Sequence, residues 1–66
     1  MNYLLKALIA KLKGELEVAK ANVMVYTRNS TGIGEHPEIV EAIETQVEKI
    51  ANAEEKIATI EKYFSR

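Results

Sequence analysis

The chain is predicted to be all-α, two long helices folded back on each other as an antiparallel hairpin. Three observations predict it. Apolar residues in the first half recur at alternating spacings of four and three, the pattern of a helix that buries one stripe. In the second half Ile43, Ile50, Ile57 and Phe64 recur every seven residues. Between these segments Arg28–Glu38 is the only stretch where turn-forming residues cluster.

The first helix is expected over about residues 2–29. Leu5, Ile9, Leu12, Leu16, Ala19, Val23 and Tyr26 form its unbroken seam, as in helix-on-helix packing. No proline interrupts it. A second, partial line runs beside the seam through Leu4, Leu8, Val18 and Val25, broken by Lys11, Glu15 and Asn22. An apolar arc wider than one seam implies more than one neighbouring helix. Gly14 falls on the outer face, where a glycine costs about 1 kcal/mol relative to alanine. It reads as a tolerated surface glycine, with a bend or a close contact with another subunit as alternatives. Val23-Met24-Val25-Tyr26-Thr27 is rich in β-formers, but no second strand exists to pair with it, so it stays helical.

The turn is expected at about residues 29–36. Asn29, Ser30 and Thr31 favour local side-chain bonds over helix continuation, and Gly32 or Asn29 can close a helix C-terminus. Ile33 reads as an apolar plug between the helix ends. His36 is placed as the N-cap, held extended before Pro37, and Pro37 suits the first helical position. Glu35, Glu38 and Glu41 lie where the helix dipole favours negative charge. Gly32-Ile33-Gly34 ahead of a helix lacks the third glycine, the lysine and the preceding strand of a phosphate loop. As a metal ligand or pH-sensitive group, His36 ranks behind a structural role.

The second helix is expected over about residues 37–64. Ile39, Val40, Val47, Ala53 and Ile60 fill the turns between the seven-residue repeats, and Glu-Lys-Ile occurs at 48–50 and again at 55–57. Gln46 shares the line of Ile39, Ala53 and Ile60. It is placed at the edge of the core with Val47 turned inward; the alternative is a buried polar residue that sets register. Glu41, Glu44, Glu48 and Glu55 form an outward acidic stripe, read as a solvated face. Glu15 and Glu54 fall near the apolar faces and could turn inward. Tyr63 and Phe64 are expected to close the open end of the hairpin near Tyr3.

A chain of 66 residues buries only about 60% of its unfolded surface, so a lone core is marginal. It has no cysteine for disulfides or thiolate sites, and a single histidine. Oligomerisation is the stabilising option left. The expected unit is a homodimer of hairpins forming a four-helix bundle. Its interface would use Leu5, Ile9, Leu12, Leu16, Val23, Tyr26, Ile43, Ile50, Ile57 and Phe64.

Catalytic chemistry finds few candidates. The chain has no aspartate, tryptophan or cysteine. Ser30 and Ser65 have neither a base nor an oxyanion site in prospect. Bundle metal sites use Glu-x-x-His on two helices, whereas the sole histidine lies in the turn. No enzyme, metal or cofactor is expected. The net charge of −1 is too balanced for a general nucleic-acid binder. Its distribution is uneven: residues 1–14 carry Lys6, Lys11 and Lys13 and no acid, while residues 28–48 set Arg28 against Glu35, Glu38, Glu41, Glu44 and Glu48. The turn end should therefore prefer a basic partner. No uncharged run approaches the roughly 20 residues of a membrane span, and no signal peptide is evident, so a cytoplasmic protein is expected.

Gly32 to Ile43, followed by a Glu/Lys/Ile heptad helix, resembles small helical-hairpin proteins of tailed phages, over about residues 30–64. The resemblance implies a phage source and the host cytoplasm, and no activity. In architecture only, a hairpin of this length that dimerises is similar to the plasmid copy-number regulator Rop, an RNA-binding protein. That similarity implies a basic face on the first helix, for which Lys6, Lys13 and Lys20 recur every seven residues.

Three functions follow, in order. The first is a non-catalytic structural or protein-interaction module that assembles with itself. The second is a Rop-like RNA-binding regulator using Lys6, Lys13 and Lys20. The third is an amphipathic membrane-surface module at residues 3–13, ranked last because its leucines are needed for the core.

Overall fold

A computed structural model describes residues 1–28 and 36–65, leaving aside the side chains of His36 and Pro37. The chain is a hairpin of two α-helices, α1 from Tyr3 to Arg28 and α2 from His36 to Phe64. At 1.5 Å per residue they span about 39 Å and about 44 Å. Together they make a rod of 50 × 14 × 12 Å. The expected roles of Asn29, Ser30, Thr31, Gly32, Ile33 and Glu35, and the His36 cap, lie outside the described residues.

The start of α1 is fixed by a signal not anticipated in the sequence. Asn2 Oδ1 accepts a hydrogen bond from the Leu5 backbone N–H at 2.9 Å, the N-cap contact that satisfies one of the orphan donors of a helix start. The Lys6 N–H donates to the Asn2 carbonyl at 3.1 Å, closing the first turn. Helix α1 then runs through Gly14 and through the β-branched stretch at Val23–Thr27 without a break. Tertiary packing overrides local propensity there. The Thr27 hydroxyl donates to the Val23 carbonyl at 2.9 Å, which keeps a weak helix former satisfied inside the helix. Arg28 closes α1, and Glu38 lies in the first turn of α2, each with the sign that the helix dipole favours.

One seam holds the helices together. On α1 it consists of Leu5, Ile9, Leu12, Leu16, Ala19, Val23 and Tyr26, all buried or half-buried. On α2 it consists of Ile39, Ile43, Gln46, Ile50, Ala53, Ile57 and Ile60. The alternation of four and three thus continues through both helices.

The α2 seam corrects the expectation for Gln46. Gln46 is 8% exposed and Val47 is 49% exposed, so the glutamine faces inward and the valine outward. The reason is periodic. Ile39, Gln46, Ala53 and Ile60 form one line and Ile43, Ile50 and Ile57 the other, and Val47 would have to break both to turn inward. A neutral amide with a bonding partner can be buried at modest cost.

Three smaller expectations change as well. Glu15 and Glu54 are exposed; a carboxylate does not enter a two-helix core without a partner. Phe64, expected to extend the isoleucine line, is 52% exposed, at the last residue of α2. Tyr3 and Tyr63 are more exposed still. The aromatic contact at this end joins Tyr63 to its neighbour Phe64, with ring centroids 6.3 Å apart. Lys62 Nζ lies 5.2 Å from the centre of the Tyr63 ring.

Candidate interaction surfaces

Two helices cannot enclose a core. Among the described residues only Leu12, Ala19, Ala53 and Ile60 are buried apolar side chains. Two of the four are alanines, so the middle of the hairpin is thin. There Asn22 Nδ2 donates to Gln46 Oε1 at 3.1 Å across the helix interface. No described buried polar side chain is left without a partner.

That amide pair fixes the register. Counting away from it along antiparallel helices sets Leu12 level with Lys56, next to the seam residue Ile57, and Leu5 level with Tyr63, next to Phe64. The residues expected at an oligomer interface, Leu5, Ile9, Leu12, Leu16, Val23, Tyr26, Ile43, Ile50 and Ile57, are placed in the seam within one chain. Phe64 is placed at its open end.

Beside the amide pair lies an open groove of about 620 Å³. Leu12, Ala19 and Ala53 form its floor, and Lys11, Lys49 and Lys56 are among its walls. A smaller groove of about 380 Å³ continues along the same side past Leu8, Thr59 and Ile60. The grooves exist because small floor residues leave the space between the helices unfilled.

The lysine line stands on the other flank of α1. Lys13 follows the buried Leu12 and Lys11 precedes it, and successive helical residues are turned by about 100°, so the two flank the seam on opposite sides. Lys6, Lys13 and Lys20 are all exposed. Lys20 Nζ pairs with Glu17 Oε2 at 3.2 Å, and Lys11 Nζ with Glu15 Oε2 at 3.1 Å. Both pairs stand in solvent on one helix face and contribute little.

The outer surfaces of the two helices differ in kind. That of α2 carries Glu41, Glu48 and Glu55, all exposed. That of α1 carries Ala7, Gly14 and Ala21 along its crest, flanked by exposed Leu4, Val18, Met24 and Val25. The sequence shows the first as an acidic stripe. The second escaped notice because alanine and glycine give no hydropathy signal, and only the helix geometry lines them up.

Among the described residues no group of three or more His, Asp or Glu side chains could hold a metal ion. No described helix is long and apolar enough to cross a membrane. Comparison with protein families, with curated proteins and with solved structures found no match to this chain.

Proposed function

We propose that this protein is a non-catalytic module that works by assembling with itself, two hairpins bringing four helices together as a small structural or protein-interaction unit. The observation that carries this reading is surface. The chain exposes 5153 Å², where a compact monomer of its 7.4 kDa mass exposes about 4,200 Å². Its radius of gyration of 15.1 Å compares with about 11 Å for a compact domain of this length. The excess, roughly 950 Å², is close to the ~800 Å² that each partner buries in a stable interface. Among the described residues, ten large apolar side chains contribute to it. Soluble monomers rarely expose contiguous apolar patches larger than a few hundred Å².

The resemblance of residues 30–64 to tailed-phage hairpin proteins supports an accessory role in a phage, and the acidic start of α2 suits a basic protein at the turn end. The test of self-assembly is the mass in solution, by size-exclusion chromatography with light scattering. A dimer or larger species at micromolar concentration is expected, and a well-folded monomer overturns the reading.

A second reading, an RNA-binding regulator, rests on Lys6, Lys13 and Lys20, which stand exposed on one flank of α1. Doubled by a two-fold axis they would present six cations to phosphate backbones. Binding of structured RNA at low salt, weakening steeply as salt rises, is its test. Absence of a mobility shift at low salt removes it.

A further inference from the structure

We propose that two copies of this chain pair antiparallel through the outer surface of α1, about a two-fold axis that passes Gly14. The proposal deepens the self-assembly reading and rests on it, and it names the face.

It starts from a glycine without a local reason. Gly14 lies in the middle of a 26-residue helix, and glycine is the poorest helix former after proline. Apart from its chain neighbours and the adjoining backbone of its own helix, no atom lies within 4 Å of where its Cβ would be. Nothing inside the hairpin requires the missing side chain. The crest it belongs to is small throughout, with Ala7 one heptad before and Ala21 one heptad after. A crest of this kind lets a second helix approach closely.

The flanks of the crest identify that second helix. Set α1 antiparallel to its own copy with Gly14 opposite Gly14, and Ala7 meets Ala21. At each level a residue from one flank of the crest then stands diagonally across from a residue of the partner's other flank. Leu4 falls opposite Met24, and Val25 opposite Tyr3, apolar against apolar at both ends. Val18 falls opposite Ala10. The one charged position in each row is matched, because Lys11 falls opposite Glu17. A two-fold contact must be self-complementary, residue i meeting j and j meeting i, and this face satisfies that condition in size, polarity and charge.

Lys11 and Glu17 make only exposed pairs within their own helix, so both can turn to the partner. The equivalent arrangement on α2 would set Glu41, Glu48 and Glu55 against one another and repel. The occupant is therefore a second copy, presented by α1, with the α2 helices outermost.

The chain has no cysteine, which makes engineered disulfides a clean probe. Ala7→Cys and Ala21→Cys variants are prepared separately, mixed and oxidised. The antiparallel pairing predicts a disulfide between the two variants in the mixture. It predicts none in either variant alone, because two copies of residue 7 would lie about 21 Å apart, beyond the roughly 7 Å that a disulfide can bridge. Efficient cross-linking of either variant with itself overturns the proposal. So does absence of any cross-link while light scattering finds a dimer, and that outcome leaves self-assembly standing. A monomer overturns both. In parallel, Gly14→Leu should weaken self-association by about tenfold or more through overpacking, with helix content unchanged. Unchanged association of that variant overturns the proposal as well.

Discussion

Asn22 Nδ2 donates a hydrogen bond to Gln46 Oε1 at 3.1 Å, joining α1 to α2 across the seam. Isoleucine or leucine at both positions would bury more surface. An amide pair instead ties one register, because slipping either helix by a turn would leave two amides facing apolar side chains. Single polar residues in coiled coils act in this way, at a cost in stability.

The pair should therefore be coupled. Gln46→Ala and Asn22→Ala are each expected to destabilise the hairpin by about 1 kcal/mol. The double variant should lose less than the sum, with a coupling of about 0.5–1.5 kcal/mol. Chemical denaturation of the four species measures it. Additive losses would show that the amides do not act together. Replacing both by leucine is expected to raise the unfolding midpoint while broadening the range of oligomeric species, as seen by light scattering.

Leu12 carries the largest share of the thin core. It is 3% exposed, and the other three buried apolar residues include two alanines. Leu12→Ala should cost about 2–5 kcal/mol, comparable to all the stability a chain this short can hold. Loss of most helical circular dichroism at 25 °C is expected. Leu4→Ala, on the exposed side of the same helix, should leave monomer helicity nearly unchanged.

The hairpin was legible because its signal is carried by large apolar side chains. Leu5, Ile9, Leu12 and Leu16 on one helix and Ile43, Ile50 and Ile57 on the other announce the seam by spacing alone. Gln46 is expected at the edge of the core, rather than inside it, for the complementary reason. Polarity argued for the surface, while its place on the Ile39–Ala53–Ile60 line argued for the core, and the sequence does not reveal that Asn22 waits across from it. The Asn2 cap is not marked in the sequence, because no Glu or Gln stands three residues on to complete a capping box. The outer face of α1 was half legible. The Leu4, Leu8, Val18 and Val25 line was visible as surplus apolar surface, and Gly14 as an oddity. What joined Gly14 to Ala7 and Ala21 was the burial of the opposite face, which fixes the direction of the crest.

The Asn2 contact gives a local prediction. Its side chain closes the start of α1 through the Leu5 N–H at 2.9 Å, so Asn2→Ala should cost about 1 kcal/mol and Asn2→Asp should retain most of the stability. The effect should be confined to the first turn. Amide hydrogen exchange is expected to accelerate at residues 4–6 and to stay unchanged around Ala19. Uniform acceleration along α1 would mean that the cap acts on global unfolding instead.

Salt separates the fold from its possible ligands. Among the described residues two ion pairs form, Lys11 with Glu15 and Lys20 with Glu17, between side chains that are each more than half exposed. Pairs of this kind contribute about 0.3 kcal/mol apiece at low ionic strength, and about 1 M salt shortens the screening length to about 3 Å. Their complete loss would lower the melting temperature by only a few degrees in a domain of this size, and stronger apolar burial in concentrated salt opposes even that. A melting temperature nearly independent of sodium chloride is thus expected from circular dichroism. RNA held by Lys6, Lys13 and Lys20 would behave in the opposite way, its affinity falling steeply over the same range. A hairpin that melts at the same temperature throughout, yet releases RNA as salt rises, would assign those lysines to a ligand and leave the fold to its apolar seam. A melting temperature that collapses with salt would place the charges in the fold itself.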